Sequence, residues 1–320
     1  MLQKNKEKWC DMHTDILLES GTNELEVMEF SIDGIPFGIN VAKVTEIMKT
    51  MPTRPIPNSH ASVEGVFKPR DKIITVFNLP YYLGLNPSED DSRDLFMITG
   101  FNKLNVAFHV HTVEGIHRIK WSDIEKPDTT AFGGRDGLAT GVAKINKKLI
   151  SIIDFEKIIA DINPETGIQL SEIEMLGERE RSEKPILTAD DSTFLRDMIH
   201  GALVSAGYTN IRSFSDGKEL WDCITKIRDE TRENGIPLET EVATVISDIE
   251  MPVMDGHRLL KLIKDDKHLK NVPVILFSSL IDDAMRHKGS ELGANAQLSK
   301  PEIGNLVTTI DKLVGRKVNR

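Results

Sequence analysis

The chain has 320 residues, 39% hydrophobic and 28% charged, with a formal charge of -10. That length and balance suit about two globular domains with real cores, and the acidic excess argues against a nucleic-acid binder. No apolar run reaches the ~18–20 residues of a membrane span, the N-terminus lacks a signal-peptide core, and Cys10 and Cys223 form no metal-type or disulfide framework, so a cytoplasmic protein without membrane insertion is expected.

Residues 1–23 are mixed and polar and read as an N-terminal tail. Met28, Phe30 and Ile32 alternate with polar residues up to Asp33-Gly34, and Ile35, Phe37 and Ile39 alternate after it. Two alternating runs around Asp-Gly predict a hairpin, because that dipeptide tolerates the positive φ of a tight turn. Asn40 is a candidate N-cap for a helix carrying Val41, Val44, Ile47 and Met48 on one face. Short strands follow over 72–78, 95–98, 106–113, 140–145 and 149–153, separated by Gly, Pro and Asn. That spacing predicts a β-barrel-like or sandwich domain ending near Pro164.

The segment SEIEMLGERERSEK over 171–184 is crowded with charges and reads as a solvated helix or linker. Beyond it strand and helix alternate five times. Strands are predicted over 185–188, 209–214, 242–246, 272–277 and 294–298, and helices over 194–204, 218–227, 256–264, 282–292 and 302–314. Alternation of this kind predicts a parallel sheet wrapped by helices. Residues 229–241 read as a surface insertion. The domains expected are thus 1–23 tail, 24–168 first domain, 169–184 linker and 185–320 second domain.

Asp190-Asp191 follows the first strand of the second domain, Asp248 ends the third, Ser278 ends the fourth and Lys300-Pro301 follows the fifth. In a doubly wound sheet, ligands bind outside the carboxyl ends of the strands, where these side chains converge. Clustered carboxylates repel one another, and a hard divalent cation with oxygen ligands, Mg²⁺, resolves the repulsion. Asp248 is placed to be a phosphoryl acceptor, with Ser278 donating to a phosphoryl oxygen and Lys300 pairing its charge. Taken singly, Asp191-Ser192 could simply cap the next helix, Asp255-Gly256 reads as a helix start, and Lys300-Pro301 could be a surface turn.

The segments TADDS, SDIEMPVMDG, VILFSS and LSKPE resemble the signature of response-regulator receiver domains, which have a flavodoxin-like α/β fold with a five-stranded parallel sheet. The resemblance implies phosphorylation at Asp248 and metal ligation by Asp190, Asp191, Asp248 and the Glu250 carbonyl. It also implies a switch hydroxyl at Ser278, a phosphate-binding Lys300, and a cis bond to Pro301. Gln297 departs from the switch aromatic of that family.

The first domain has no catalytic constellation. Gly133-Gly134 reads as a turn, and His109, His111 and His117 as a solvated strand face in preference to a metal site. The segment GVFKPRDKIITVFNLPYYLG and the LISIIDFEKII stretch resemble CheW-type coupling domains. That family implies a mostly-β domain of two small β-barrel subdomains. In it, Val44, Glu46, Gly65 and Arg70 match positions tied to partner binding. The alternative reading packs Val44 in the core, makes Gly65 a turn, and leaves Glu46 and Arg70 solvated. The turn Lys68-Pro69-Arg70-Asp71 together with the fused receiver resembles the CheV family. The resemblance implies a cytoplasmic, non-enzymatic adaptor at chemoreceptor arrays. Its partners would be the CheA histidine kinase and chemoreceptor tips. A phosphate sink draining CheA is the alternative.

Overall fold

The computed structural model describes residues 24–101, 104–120, 123–125, 138–166, 168–169, 171–177, 179–251, 253–279 and 283–316. The expected tail and the Gly133-Gly134 turn lie outside them. The chain divides into two compact units, Met1–Glu125 with Gly141–Ile153, and Lys126–Thr140 with Asp154–Arg320.

The first unit is built on two sheets. One has the order β8-β1-β2-β11-β10-β9, using β1 (Glu24–Ile32), β2 (Ile35–Asn40), β8 (Thr112–Lys120), β9 (Ile124–Glu125), β10 (Ala139–Ile145) and β11 (Lys148–Ile153). The other has the order β3-β6-β7-β5-β4, using β3 (Val44–Lys49), β4 (Val63–Phe67), β5 (Ile74–Asn78), β6 (Leu95–Phe101) and β7 (Leu104–Val110). A short helix α1 (Leu79–Leu83) follows β5. The β1–β2 hairpin turns on Asp33 and Gly34 at φ 53° and 72°, the left-handed pair its two-residue loop requires.

Three expectations for this unit are corrected. Asn40 does cap, its Oδ1 accepting from the Ala42 N–H at 3.0 Å, but the cap starts only a 3-10 turn over Val41–Lys43. Val44 onward is a strand paired with β6, and a bulge between Val44 and Glu46 disrupts the two-residue alternation, leaving apolar spacing that mimics a helix. The run 106–113 is two strands, because the chain passes from one sheet to the other at His111, whose Nδ1 accepts from the Asp33 N–H. The histidines are not a solvated face. His109 sits between Glu64 and Asp94, at 2.5 and 2.9 Å, and His117 is 2.7 Å from the buried Glu29. Burial alone would lower the His109 pKa, but the two carboxylates outweigh it and raise it.

In the second unit, β12 (Ile186–Ala189), β13 (Ile211–Phe214), β14 (Thr244–Ser247), β15 (Val274–Ser278) and β16 (Ala296–Ser299) form an all-parallel sheet in the order β13-β12-β14-β15-β16. The unit's helices are α2 (Phe155–Ile162), α3 (Ser171–Glu174), α4 (Thr193–Ser205), α5 (Gly217–Asn234), α6 (Gly256–Asp265), α7 (Asp283–Glu291) and α8 (Ile303–Leu313). Strands β12, β14 and β15 are buried along their whole length, as β-branched strands covered on both faces must be. The five-stranded parallel sheet is the one the alternation predicted.

Further expectations change in this unit. Part of the supposed insertion is helix: α5 runs on to Asn234 because Ile224, Ile227 and Thr231 keep one buried stripe, while the other residues of DETREN supply its wet face. The segment 171–184 opens with α3 and is mostly exposed, as a solvated helix or linker should be, yet it is pinned to the second unit. Ile168 and Ile173 are buried in the second unit's core, Glu172 Oε2 accepts from the Gly304 N–H at 2.8 Å, and Arg179 pairs with the buried Asp311. The sequence shows the charges of this segment but not the partners that α8 provides. The Lys300-Pro301 bond is trans, contrary to expectation.

Candidate functional site

Asp190 follows β12 directly, Asp248 follows β14 directly, and Lys300 follows β16 directly, so the parallel sheet delivers all three to one edge. Lys300 Nζ lies 2.8 Å from Asp248 Oδ2 and 3.0 Å from Asp190 Oδ2. The lysine is 1% exposed. Desolvation alone would lower its pKa, but Asp190, Asp248 and Glu156 outweigh burial and raise it well above the ordinary value. Burial pushes the Asp190 carboxyl well up, with Asp248, Asp191 and Glu156 adding to the push and Lys300 opposing it.

The acidic residues are fixed by backbone contacts. The Asp248 N–H donates to the Ala189 carbonyl at 2.9 Å, and Asp248 Oδ1 accepts from the Ile249 N–H at 2.6 Å. Asp190 Oδ1 accepts from the Ser192 N–H at 3.0 Å. Ser192, not Asp191, caps α4, its Oγ accepting from the Leu195 N–H. Asp255 caps α6 by accepting from the Arg258 N–H at 2.8 Å. A Cβ at Gly256 would fall 2.0 Å from the Asp248 carbonyl oxygen, so only glycine lets α6 start this close to the end of β14.

Carboxylate oxygens of Asp190, Asp191 and Asp248 lie within 4.8 Å of one another. Hard oxygen donors, several of them anionic and beside one cation, suit Mg²⁺ and not a soft metal. Ser278 ends β15 and is buried, and the Lys300 N–H donates to its carbonyl at 3.2 Å. Glu250 lies two residues beyond Asp248 in the same loop. Gln297 fills the place of the expected switch aromatic and is tied to α7, its Nε2 donating to the Arg286 carbonyl at 2.8 Å and to Ser290 Oγ at 3.1 Å.

Sequence reasoning missed a second ring of residues. Glu156, on the first turn of α2, accepts from Ser279 Oγ at 2.7 Å through Oε1, and its Oε2 lies 3.8 Å from Lys300 Nζ. Asp154 caps α2 and accepts from Ser192 Oγ at 2.6 Å. An acid in the first turn of a helix is ordinary in sequence, so only burial singles Glu156 out.

The four partner-binding candidates fall in the first unit. Val44 is 1% exposed. Gly65 sits in β4 at φ 145°, where a Cβ would fall 2.4 Å from the Arg54 carbonyl oxygen. Glu46 and Arg70 are solvent-accessible and paired with each other.

A parallel five-stranded sheet carrying clustered aspartates opposite a buried lysine defines a receiver module, here joined to a mostly-β unit of two sheets. The CheW-like domain model matches residues 26–163, and the response regulator receiver domain model matches residues 186–311. Chemotaxis protein CheV3 of Helicobacter pylori is 30% identical over 306 residues, covering 92% of this chain and 96% of its own. Chemotaxis protein CheW of Thermotoga maritima is 28% identical over 151 residues, 47% of this chain and 98% of its own. The crystal structure of the chemotaxis response regulator CheY4 of Vibrio cholerae is similar over 41% of this chain and 99% of its own, at 26% identity and a TM-score of 0.34. The chain belongs to the CheV family of chemotaxis proteins, a CheW-like domain followed by a receiver domain.

Proposed function

We propose that this protein is a signalling adaptor that couples chemoreceptors to the CheA kinase and is modulated by phosphorylation of Asp248. The observation that carries the reading is the Lys300 ammonium, held 2.8 Å from Asp248 and 3.0 Å from Asp190 in a receiver fused to a coupling domain. A phosphoryl group passes from a kinase phosphohistidine to an Asp248 carboxylate oxygen, the N–P bond breaking as the O–P bond forms. Lys300 neutralises the charge that arrives, and Ser278 donates to a phosphoryl oxygen. Asp190, Asp191, Asp248 and the Glu250 carbonyl hold Mg²⁺, which when bound supplies charge neutralisation for in-line transfer.

The coupling domain supplies docking to the kinase and to receptor tips, with Arg70 and Glu46 on the contact surface and Val44 and Gly65 shaping the sheet that presents them. The chain turns over no outside substrate and works in the cytoplasm at receptor arrays. Among the described residues no helix is long and apolar enough to cross a membrane.

The test is reconstituted receptor–CheA kinase activity with the wild-type chain and with Asp248→Asn, alongside phosphoryl labelling with and without Mg²⁺. Labelling should need Mg²⁺ and vanish in Asp248→Asn, and the two proteins should set different kinase activities. Undiminished labelling of Asp248→Asn would refute the acceptor assignment. Loss of labelling with identical kinase output would leave the receiver as a mere drain and refute the adaptor reading.

A further inference from the structure

The phosphorylation site already contains an anion supplied by the chain itself. Glu156 is 8% exposed, and its carboxylate takes the Ser279 hydroxyl at 2.7 Å while standing 3.8 Å from the Lys300 ammonium. That same ammonium is the one on Asp248. Asp190, Asp248 and Glu156 are therefore three buried carboxylates around one buried cation, with Asp191 alongside. Such crowding is electrostatically costly and persists only where packing holds it.

The packing that holds it is visible on α2. Asp154 caps that helix and accepts from Ser192 Oγ at 2.6 Å. The Lys157 ammonium lies 5.0 Å from the centre of the Phe194 ring. Ser192 and Phe194 lie just past the acidic pair, so the first turn of α2 is anchored beside it and brings Glu156 to Ser279 and the Lys300 ammonium. Ile158, Ile159 and Ile162 are buried as well, so the helix carries an apolar face besides its polar contacts.

We infer that Glu156 is an intramolecular stand-in for the phosphoryl group, so that α2 bound at the site and phosphate on Asp248 exclude each other. A phosphoryl group on Asp248 needs the Lys300 charge and nearby hydroxyl donors, which are the kinds of partner Glu156 now occupies. It also adds negative charge beside a carboxylate that cannot move away while α2 stays docked. Docked α2 disfavours the phosphorylated state of Asp248, and phosphorylation disfavours docking of the first turn of α2 by the same equilibrium factor. Because α2 begins two residues after β11 ends and falls within residues 26–163 matched to the CheW-like domain, the order of that domain's last matched helix becomes dependent on the state of Asp248. The inference rests on Asp248 being the phosphoacceptor.

The experiment uses the full-length chain with Mg²⁺ and phosphoramidate, in which the P–N bond breaks, the phosphoryl group joins Asp248 and ammonia leaves. Initial labelling rates are compared for wild type, Glu156→Gln and Ser279→Ala. In parallel, amide hydrogen exchange over 155–162 is measured in the wild type before and after beryllofluoride with Mg²⁺. Both variants should label faster, on the order of tenfold for Glu156→Gln, the ordinary scale of coupling between sites. Beryllofluoride should speed exchange across α2. Equal or slower labelling of Glu156→Gln, with α2 exchange unchanged by beryllofluoride, overturns the stand-in while leaving the acceptor in place. A wild type that is not labelled at Asp248 at all overturns both.

Discussion

Arg70 and Glu46, each singled out from the sequence as a partner contact, are joined to each other by a 3.0 Å hydrogen-bonded ion pair on the coupling domain. The Arg70 side chain is 68% exposed, so the pair contributes little to stability, under about 1 kcal/mol. Arg70→Glu should leave the melting temperature within a few degrees of wild type while cutting co-sedimentation with receptor–CheA assemblies severalfold. Adding Glu46→Arg restores an internal pair but not the sign presented to a partner. Docking that recovers in the double variant would show that the internal pair, not the Arg70 charge, matters.

Lys300 is the cation that balances Asp190 and Asp248. Its replacement by Ala leaves buried carboxylates uncompensated, at a cost of about 3–5 kcal/mol. Thermal denaturation in chelator should show that loss, and millimolar Mg²⁺ should return part of it. The gain from Mg²⁺ should be larger in Lys300→Ala than in wild type, because there the added cation meets unbalanced charge. An equal melting temperature for both proteins in chelator would contradict the charge balance described.

Arg179 and Asp311 form a buried pair, and Tyr208 Oη also donates to Asp311, at 2.6 Å. Desolvation and the Asp311 carboxylate hold the Tyr208 pKa above its usual range. Asp311→Ala strips both partners and should destabilise the receiver by about 3–5 kcal/mol. It should also free the segment around Arg179, read as faster tryptic cleavage after that residue in mass-spectrometric time courses. Unchanged cleavage would mean that Ile168, Ile173 and the Glu172–Gly304 bond keep the segment docked without Asp311.

His257 is buried on α6, and desolvation, with the Lys288 charge adding and Asp255 opposing, lowers its pKa to about 4. Its unfolded value is higher, ~6.5, so between these values the unfolded chain binds a proton that the folded chain refuses. Stability therefore falls as pH falls through that window. From pH 7 to pH 5 the loss is about 2 kcal/mol. Denaturant titrations of wild type against His257→Leu isolate this contribution from that of Asp190, which is common to both. The variant should lose less stability on acidification; parallel pH profiles would place the histidine proton elsewhere.

The receiver was legible in the sequence because its signals are local. A buried parallel strand reads as an apolar run, and Asp190, Asp248, Ser278 and Lys300 occupy strand ends whatever the helices do. Sequence pattern failed where pairing partners come from far along the chain. Val44 to Lys49 carry apolar residues at helical spacing, and only the pairing with β6, bulged at Thr45, makes them a strand. The charged run 171–184 looks solvated until α8 supplies Gly304 and Asp311 as partners more than a hundred residues away. Glu156 is the clearest case. By itself it is a first-turn acid on a short amphipathic helix, and nothing local distinguishes it from a solvated one. What the sequence determined was the chemistry at the ends of the strands, because backbone alternation fixes where those ends fall. The tertiary structure alone decided which further carboxylate meets Lys300, because a buried charge is defined by neighbours that only folding brings together.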